Sequence, residues 1–335
     1  MHATGLTEHL ICWTEHPARQ EDSLTQSLLR RFLDAYWLRP ENAFWMTLRS
    51  HALSQCPPQH PSIDLGCGDG VFSFLSAGGV FDPGFDVFKA VGMLDKVRDE
   101  HADMFDCADE SYMPHITSRP ADDIDVGADL KPALLNKARK LGFYKQLVEH
   151  DSNIALPFES DSFRWVYCNC AYWIESVDSF LREMGRITRA DGHIVVQVKL
   201  DSMRRYTLER HRSVLGDRFL DIIGRGRIET WPCVADRKTW EDRFARAGLS
   251  IESATPFVTR THAHIWDIGL RPIAPLLVRM TNALTPKTRA SIKQEWVSLF
   301  IELLEPFCHP DIDLLPGSDE PAEIQYVLTP PQKDG

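Results

Sequence analysis

Ser62 to Phe74 read Ser-Ile-Asp-Leu-Gly-Cys-Gly-Asp-Gly-Val-Phe-Ser-Phe. A short apolar strand with Ile63 and Leu65 enters three glycines at alternate positions, Gly66, Gly68 and Gly70, and then a helix start. Glycine has no Cβ, so the backbone can turn tightly and lie against a ligand. The helix that follows aims its N-terminus at the same point. A doubly wound α/β fold builds its nucleotide site in this way, at the end of its first strand. The segment therefore predicts an α/β chain with a largely parallel sheet.

Two nucleotide classes compete for such a loop. The dinucleotide fingerprint needs a glycine or alanine three residues after the second glycine, for close packing beside a pyrophosphate. Here that position is Val71, and the third glycine comes early, at Gly70. Asp64 places a negative charge near the loop, which repels a pyrophosphate and suits a cationic amino-acid moiety. A nicotinamide oxidoreductase is disfavoured on both counts.

The pattern acid-x-Gly-x-Gly-x-Gly, with Asp64, Gly66, Gly68 and Gly70, resembles motif I of class I S-adenosylmethionine-dependent methyltransferases. The resemblance implies a seven-stranded, mostly parallel, doubly wound sheet with S-adenosylmethionine as cofactor. It also implies a ribose-binding acid after the second core strand, which Ile124-Asp125-Val126-Gly127-Ala128-Asp129 supplies in Asp129. Asp95 lies nearer in sequence, but only from Asp129 does the spacing to the following strands fit. Leu147 to Asp151 reads as the third core strand, and Asp151 sits where the family binds the adenine amino group. Leu156-Pro157-Phe158 resembles the turn before the fourth, which ends at Asn169, close to the donor. After it many relatives read Leu-Glu-His, whereas this chain has Ile174-Glu175-Ser176. A histidine sometimes credited with proton abstraction is therefore missing.

The 335 residues are 43% hydrophobic, enough for a large core with additions. No run has the length to cross a bilayer, and Met1 to Glu8 lack a basic region followed by an apolar stretch. A soluble, cytoplasmic protein is expected. The eight cysteines show no Cys-x-x-Cys spacing, which argues for reduced thiols rather than disulfides or zinc. His101 and His115 lie in an acidic stretch, but nothing in their spacing enforces a common metal site, so none is expected. The net charge of −11 bears on the partner, because a nucleic-acid enzyme needs a continuous basic surface. The densest basic run, Arg204, Arg205, Arg210 and Arg212, with Arg225 and Arg227 following, is interrupted by Glu209 and reads as a solvated helix face. A small molecule is the expected acceptor; oligomeric state is not visible.

Periodicity divides the chain into an N-terminal helical segment (1–60), a methyltransferase core (61–257) with an insertion at about 77–121, a helical cap insertion (258–321), and a last strand and tail (322–335). Leu24 to Tyr36 and Ala43 to Leu53 have helical spacing, and Trp13, Trp37, Phe44 and Trp45 make that segment aromatic-rich. The first insertion reads as a solvated, partly ordered loop. Helices are expected at 202–223, 273–283 and 287–307, and the last strand at Glu323 to Leu328.

Methyl transfer from a sulfonium is an in-line displacement in which positioning supplies much of the rate. A hydroxyl acceptor also needs a base. Thr261-His262-Ala263-His264-Ile265-Trp266-Asp267 combines two histidines, a tryptophan and an acid near the expected acceptor position. His262 and His264 share a face if the segment is a strand and do not if it is a helix; Glu175 is the third candidate. The alternative to catalysis is a cofactor-binding or regulatory protein that keeps the fold without transferring methyl groups.

Overall fold

The computed structural model describes residues 20–91, 94–99, 104, 107, 111–224, 231–267, 269–308 and 320–331. Trp13, His101, Arg225 and Arg227, named above, lie outside them. Seven strands form one sheet: β1 (Ser62–Leu65), β4 (Ile124–Asp129), β5 (Tyr144–Glu149), β6 (Phe163–Cys168), β7 (Thr188–Lys199), β8 (Ser250–Val258) and β9 (Glu323–Thr329). Two short strands, β2 (Val80–Phe81) and β3 (Ile116–Ser118), pair separately.

The order across the main sheet is β5-β4-β1-β6-β7-β9-β8. β1 is parallel to β4 and β6, while β9 runs antiparallel to β7 and β8. All four residues of β1 are buried, as a central parallel strand covered on both faces requires. This is the expected doubly wound sheet, with the last strand inserted as an antiparallel partner. The parallel ends of β4, β1, β6 and β7 and the start of β9 lie along one edge, where ligands of open α/β sheets bind.

The turn at Leu156-Pro157-Phe158 is held from the helix Val177–Ile187. Arg186 donates to the Phe158 and Leu156 carbonyls at 2.7 and 3.0 Å, and Glu183 accepts from Leu156 N at 2.8 Å. The motif is thus a docking point that leads the chain into β6.

Among its described residues the first insertion is packed rather than solvated throughout. Phe81, Phe85 and Phe88 are buried, Phe81 and Phe85 stack at 3.7 Å, and β2 pairs with β3. Asp86 accepts from Trp37 Nε1 at 2.7 Å and from Arg289 Nη2 at 2.5 Å. Arg289 belongs to the helix Pro286–Leu304, whose Lys293 donates to the Pro83 and Phe85 carbonyls at 3.0 and 2.7 Å. Segments 200 residues apart therefore order one another. The helix expected at 202–223 is broken into Ser202–Tyr206, Leu208–His211, Arg212–Leu215 and Asp217–Gly224. Arg205 pairs with Asp201 and Glu320, and Arg212 with Glu209 and Asp217, so neither offers an open phosphate site.

Candidate active site

Gly66, Gly68 and Gly70 all have positive φ, at 78°, 58° and 76°. A methyl group on Gly66 would collide with Cys170 Sγ, whereas one on Gly68 meets nothing within 4 Å. Gly66 is therefore a packing requirement, and Gly68 is the point where the backbone faces open space. Helix α3 (Val71–Ser76) follows directly, with Gly70 at its N-cap.

Asp129 ends β4 beside this loop. Its Oδ2 accepts from Gly68 N at 2.9 Å and its Oδ1 from Lys131 N at 2.9 Å. Asp95, by contrast, is exposed in the helix Leu94–Asp99. Asp151 lies two residues beyond β5, and its Oδ1 takes both Asn153 N and Asn153 Nδ2 at 2.9 Å. These bonds stabilise the carboxylate and lower its pKa. Leu130 and Ile154, near these acids in sequence, are 56% and 64% exposed. Asn169 follows the last residue of β6.

Asp64 does not face outward. It is buried, and its Oδ2 accepts from Ser73 Oγ at 2.6 Å and Tyr144 OH at 2.8 Å. Burial pushes its pKa up to about 6, against the pull of those two donors and with a push from Asp129. Asp64 braces the loop from behind through Ser73 and Tyr144. Burial also raises the Asp69 carboxyl, opposed by the Val71 amide and Lys137. The Cys67 thiol is pushed up by burial and by Asp64, Asp129 and Asp69 together, so three carboxylates gather around the loop. Tyr36, the last residue of helix α1 (Gln20–Tyr36), feels Asp69, which sets α1 over the same loop.

The methyltransferase-domain family model matches residues 107–196, the stretch holding β4 to the middle of β7 with Asp129, Asp151 and Asn169. The chain carries a class I methyltransferase domain. It is an enzyme domain whose methyl donor is S-adenosylmethionine. Solved structures similar to this chain include the [4+2]-cyclase SpnF, 15% identical, covering 89% of this chain and 84% of that one, TM-score 0.44. A Thermotoga maritima S-adenosylmethionine-dependent methyltransferase, a possible histamine N-methyltransferase, is 12% identical over 92% and 99%, TM-score 0.43. A Mesorhizobium loti S-adenosylmethionine-dependent methyltransferase is 16% identical over 85% and 96%, TM-score 0.40. These likenesses are distant, and what those proteins act on is theirs alone. No curated protein matches the chain.

The residues present fit the donor of this methyltransferase. The space at Gly68 is open, and the Asp129 carboxylate is bonded to that same glycine. When bound there, S-adenosylmethionine supplies an electrophilic methyl group on a sulfonium. Asp129 and Asp151 would be the residues to accept hydrogen bonds from its hydroxyl and amino groups, and carboxylates favour a cation.

The three candidate bases are not brought together. Thr261 to Asp267 lies within the helix Arg260–Asp267, so His262 and His264 point to different faces. His262 is buried; its Nδ1 accepts from Thr259 N at 3.0 Å and its Nε2 bonds the Phe307 carbonyl at 2.8 Å. That carbonyl can only accept, so Nε2 carries the ring proton, and both nitrogens are committed to joining two chain segments. His264 is half-buried on the other face, and Glu175 is exposed just before the helix Val177–Ile187.

Sequence reasoning missed a second cluster on the same edge. Arg49, on helix α2 (Pro40–Leu53), donates to Glu323 at 3.0 and 3.1 Å and from Nη2 to Tyr172 OH at 2.9 Å. Lys199, the last residue of β7, also bonds Glu323. Trp45, Tyr172, Trp231 and Trp266 surround its ammonium. The signals available were a lysine ending an apolar strand and a glutamate opening another. Nothing in the sequence says that they meet.

Proposed function

We propose that this enzyme transfers the methyl group of S-adenosylmethionine to a small-molecule acceptor held at the ends of β6, β7 and β9. One observation carries this reading: the edge is divided into a half built for the donor and a half walled by buried aromatic residues. The first holds Gly68, Asp129 and Asp151; the second holds Trp45, Tyr172, Trp231 and Trp266, each under 9% exposed. α2 and the helix Arg260–Asp267 close the second half, since Trp45 and Trp266 lie 4.7 Å apart. Enclosure by rings suits a compact, partly apolar molecule. The paired state of Arg205 and Arg212 and the net charge of −11 weigh against a nucleic acid. Asp129 and Asp151 are the proposed donor ligands, with Gly66, Gly68 and Gly70 shaping the turn and Asn169 at the junction of the two halves.

The test is transfer of a labelled methyl group from S-adenosylmethionine to a panel of small acceptors, with tRNA and duplex DNA alongside. Labelling of a small acceptor that is lost in Asp129→Ala supports the reading. Labelling of nucleic acid alone contradicts it.

A further inference from the structure

Asn153 bonds two segments of the sheet edge at once. Its backbone N and its side-chain Nδ2 both donate to Asp151 Oδ1 at 2.9 Å. Its own Oδ1 accepts from Ser176 N at 3.1 Å. Ser176 is the N-cap of the helix Val177–Ile187 and follows Trp173, Ile174 and Glu175 in the connection that leaves β6. These contacts fix which end of the amide is which, because a carboxylate needs a donor and a backbone N–H needs an acceptor. Asparagine supplies both. An aspartate of the same size supplies no donor when ionised, and a leucine supplies neither.

The rest of the loop is held from the same helix, where Glu183 accepts from Leu156 N and Arg186 bonds the Leu156 and Phe158 carbonyls. Ile154 N bonds the Asp151 carbonyl at 3.1 Å and closes the turn. Asp151 Oδ1 is thus committed to Asn153, while its Oδ2 makes no hydrogen bond among the described residues. A carboxylate that is not held turns about its side-chain bonds, and ordering it when a ligand arrives costs free energy. Asn153 removes that cost by fixing one oxygen and leaving the other to accept. The two Asn153 donors are also the main cause of the lowered Asp151 pKa, with His150 adding to the pull, so the accepting form is the one favoured.

We propose that Asn153 is a positioning residue for the methyl donor: it orients the Asp151 carboxylate so that Oδ2 accepts from the exocyclic amino group of the adenine. This rests on the reading of Asp151 as a donor ligand given above. Asn153 acts through Asp151, and its bond to Ser176 anchors the amide that does so.

The test is calorimetric titration of the parent, Asn153→Asp and Asn153→Ala with two ligands at neutral pH. One is S-adenosylhomocysteine; the other is S-inosylhomocysteine, in which a carbonyl replaces the adenine amino group. Asn153→Asp keeps the size of the side chain and an acceptor for Ser176 N but loses the donation to Asp151. It therefore separates positioning from anchoring of the loop, and a ratio of two affinities is not moved by a general loss of structure. The parent should prefer S-adenosylhomocysteine at least about tenfold, and both variants should bring the two ligands to within about threefold of each other. A preference that Asn153→Asp retains, or a fall in both affinities that leaves the ratio unchanged, would overturn the proposal. Equal binding of the two ligands by the parent would instead contradict the role of Asp151, and the proposal would fall with it.

Discussion

A glycine can be needed for what it avoids inside the protein or for what it admits from outside, and the two loop positions Gly66 and Gly68 separate these cases. Gly66→Ala drives a methyl group into Cys170 Sγ and should lower the melting temperature sharply. Gly68→Ala meets no protein atom, so the fold should survive with a loss of about 1 kcal/mol for the positive φ. Its S-adenosylmethionine affinity should fall at least about tenfold, because the new methyl group occupies the donor's space. Melting curves and calorimetry on the two variants distinguish the roles. Asp64 gives a pH signature. Its folded pKa of about 6 lies above the usual carboxylate value, so the fold favours the protonated form. Its contribution is fully present below the unfolded pKa, falls as pH rises towards 6, and levels off above it. The advantage of Asp64→Asn over the parent should therefore grow by about 1.5 kcal/mol between pH 5 and pH 7.5. Urea unfolding at the two pH values checks this, and an unchanged difference would contradict it.

Elements that look independent in sequence hold one another in the structure. The clearest case is Asp86 with Arg289, both over nine-tenths buried. Arg289→Met removes the cation and leaves a buried carboxylate with only Trp37 Nε1 and Phe88 N as donors. The expected loss is about 3 to 5 kcal/mol, read from urea unfolding, and Asp86→Asn on that background should recover part of it. The same couplings explain which elements were legible. β1, β4, β6 and the ends of β7 and β9 could be read because each depends on local pattern: apolar runs, a glycine loop, an acid at a strand end. Asp129 and Asp151 follow from those strands. The first insertion could not be read, because its order comes from Arg289 and Lys293, some 200 residues away. The histidine segment was ambiguous between two periods, and the helix that forms separates His262 from His264. The Arg49–Glu323–Lys199 cluster joins three segments across nearly the whole chain, and no short-range signal announces it.

At the scale of the molecule, one sheet edge sets the glycine loop and its carboxylates beside a corner of buried aromatic residues. In the proposed reading the glycine loop and its carboxylates take the cationic donor, and the corner walled by Trp45, Tyr172, Trp231 and Trp266 takes the acceptor. Among the described residues no helix is long and apolar enough to cross a membrane. The most direct test of the central claim is calorimetric titration of the protein and of Asp129→Ala with S-adenosylmethionine, with NADH as control. Saturable binding by the parent, weakened at least about a hundredfold in Asp129→Ala, with no response to NADH, is the predicted result. No saturable binding, or binding that Asp129→Ala leaves unchanged, would contradict the site described here.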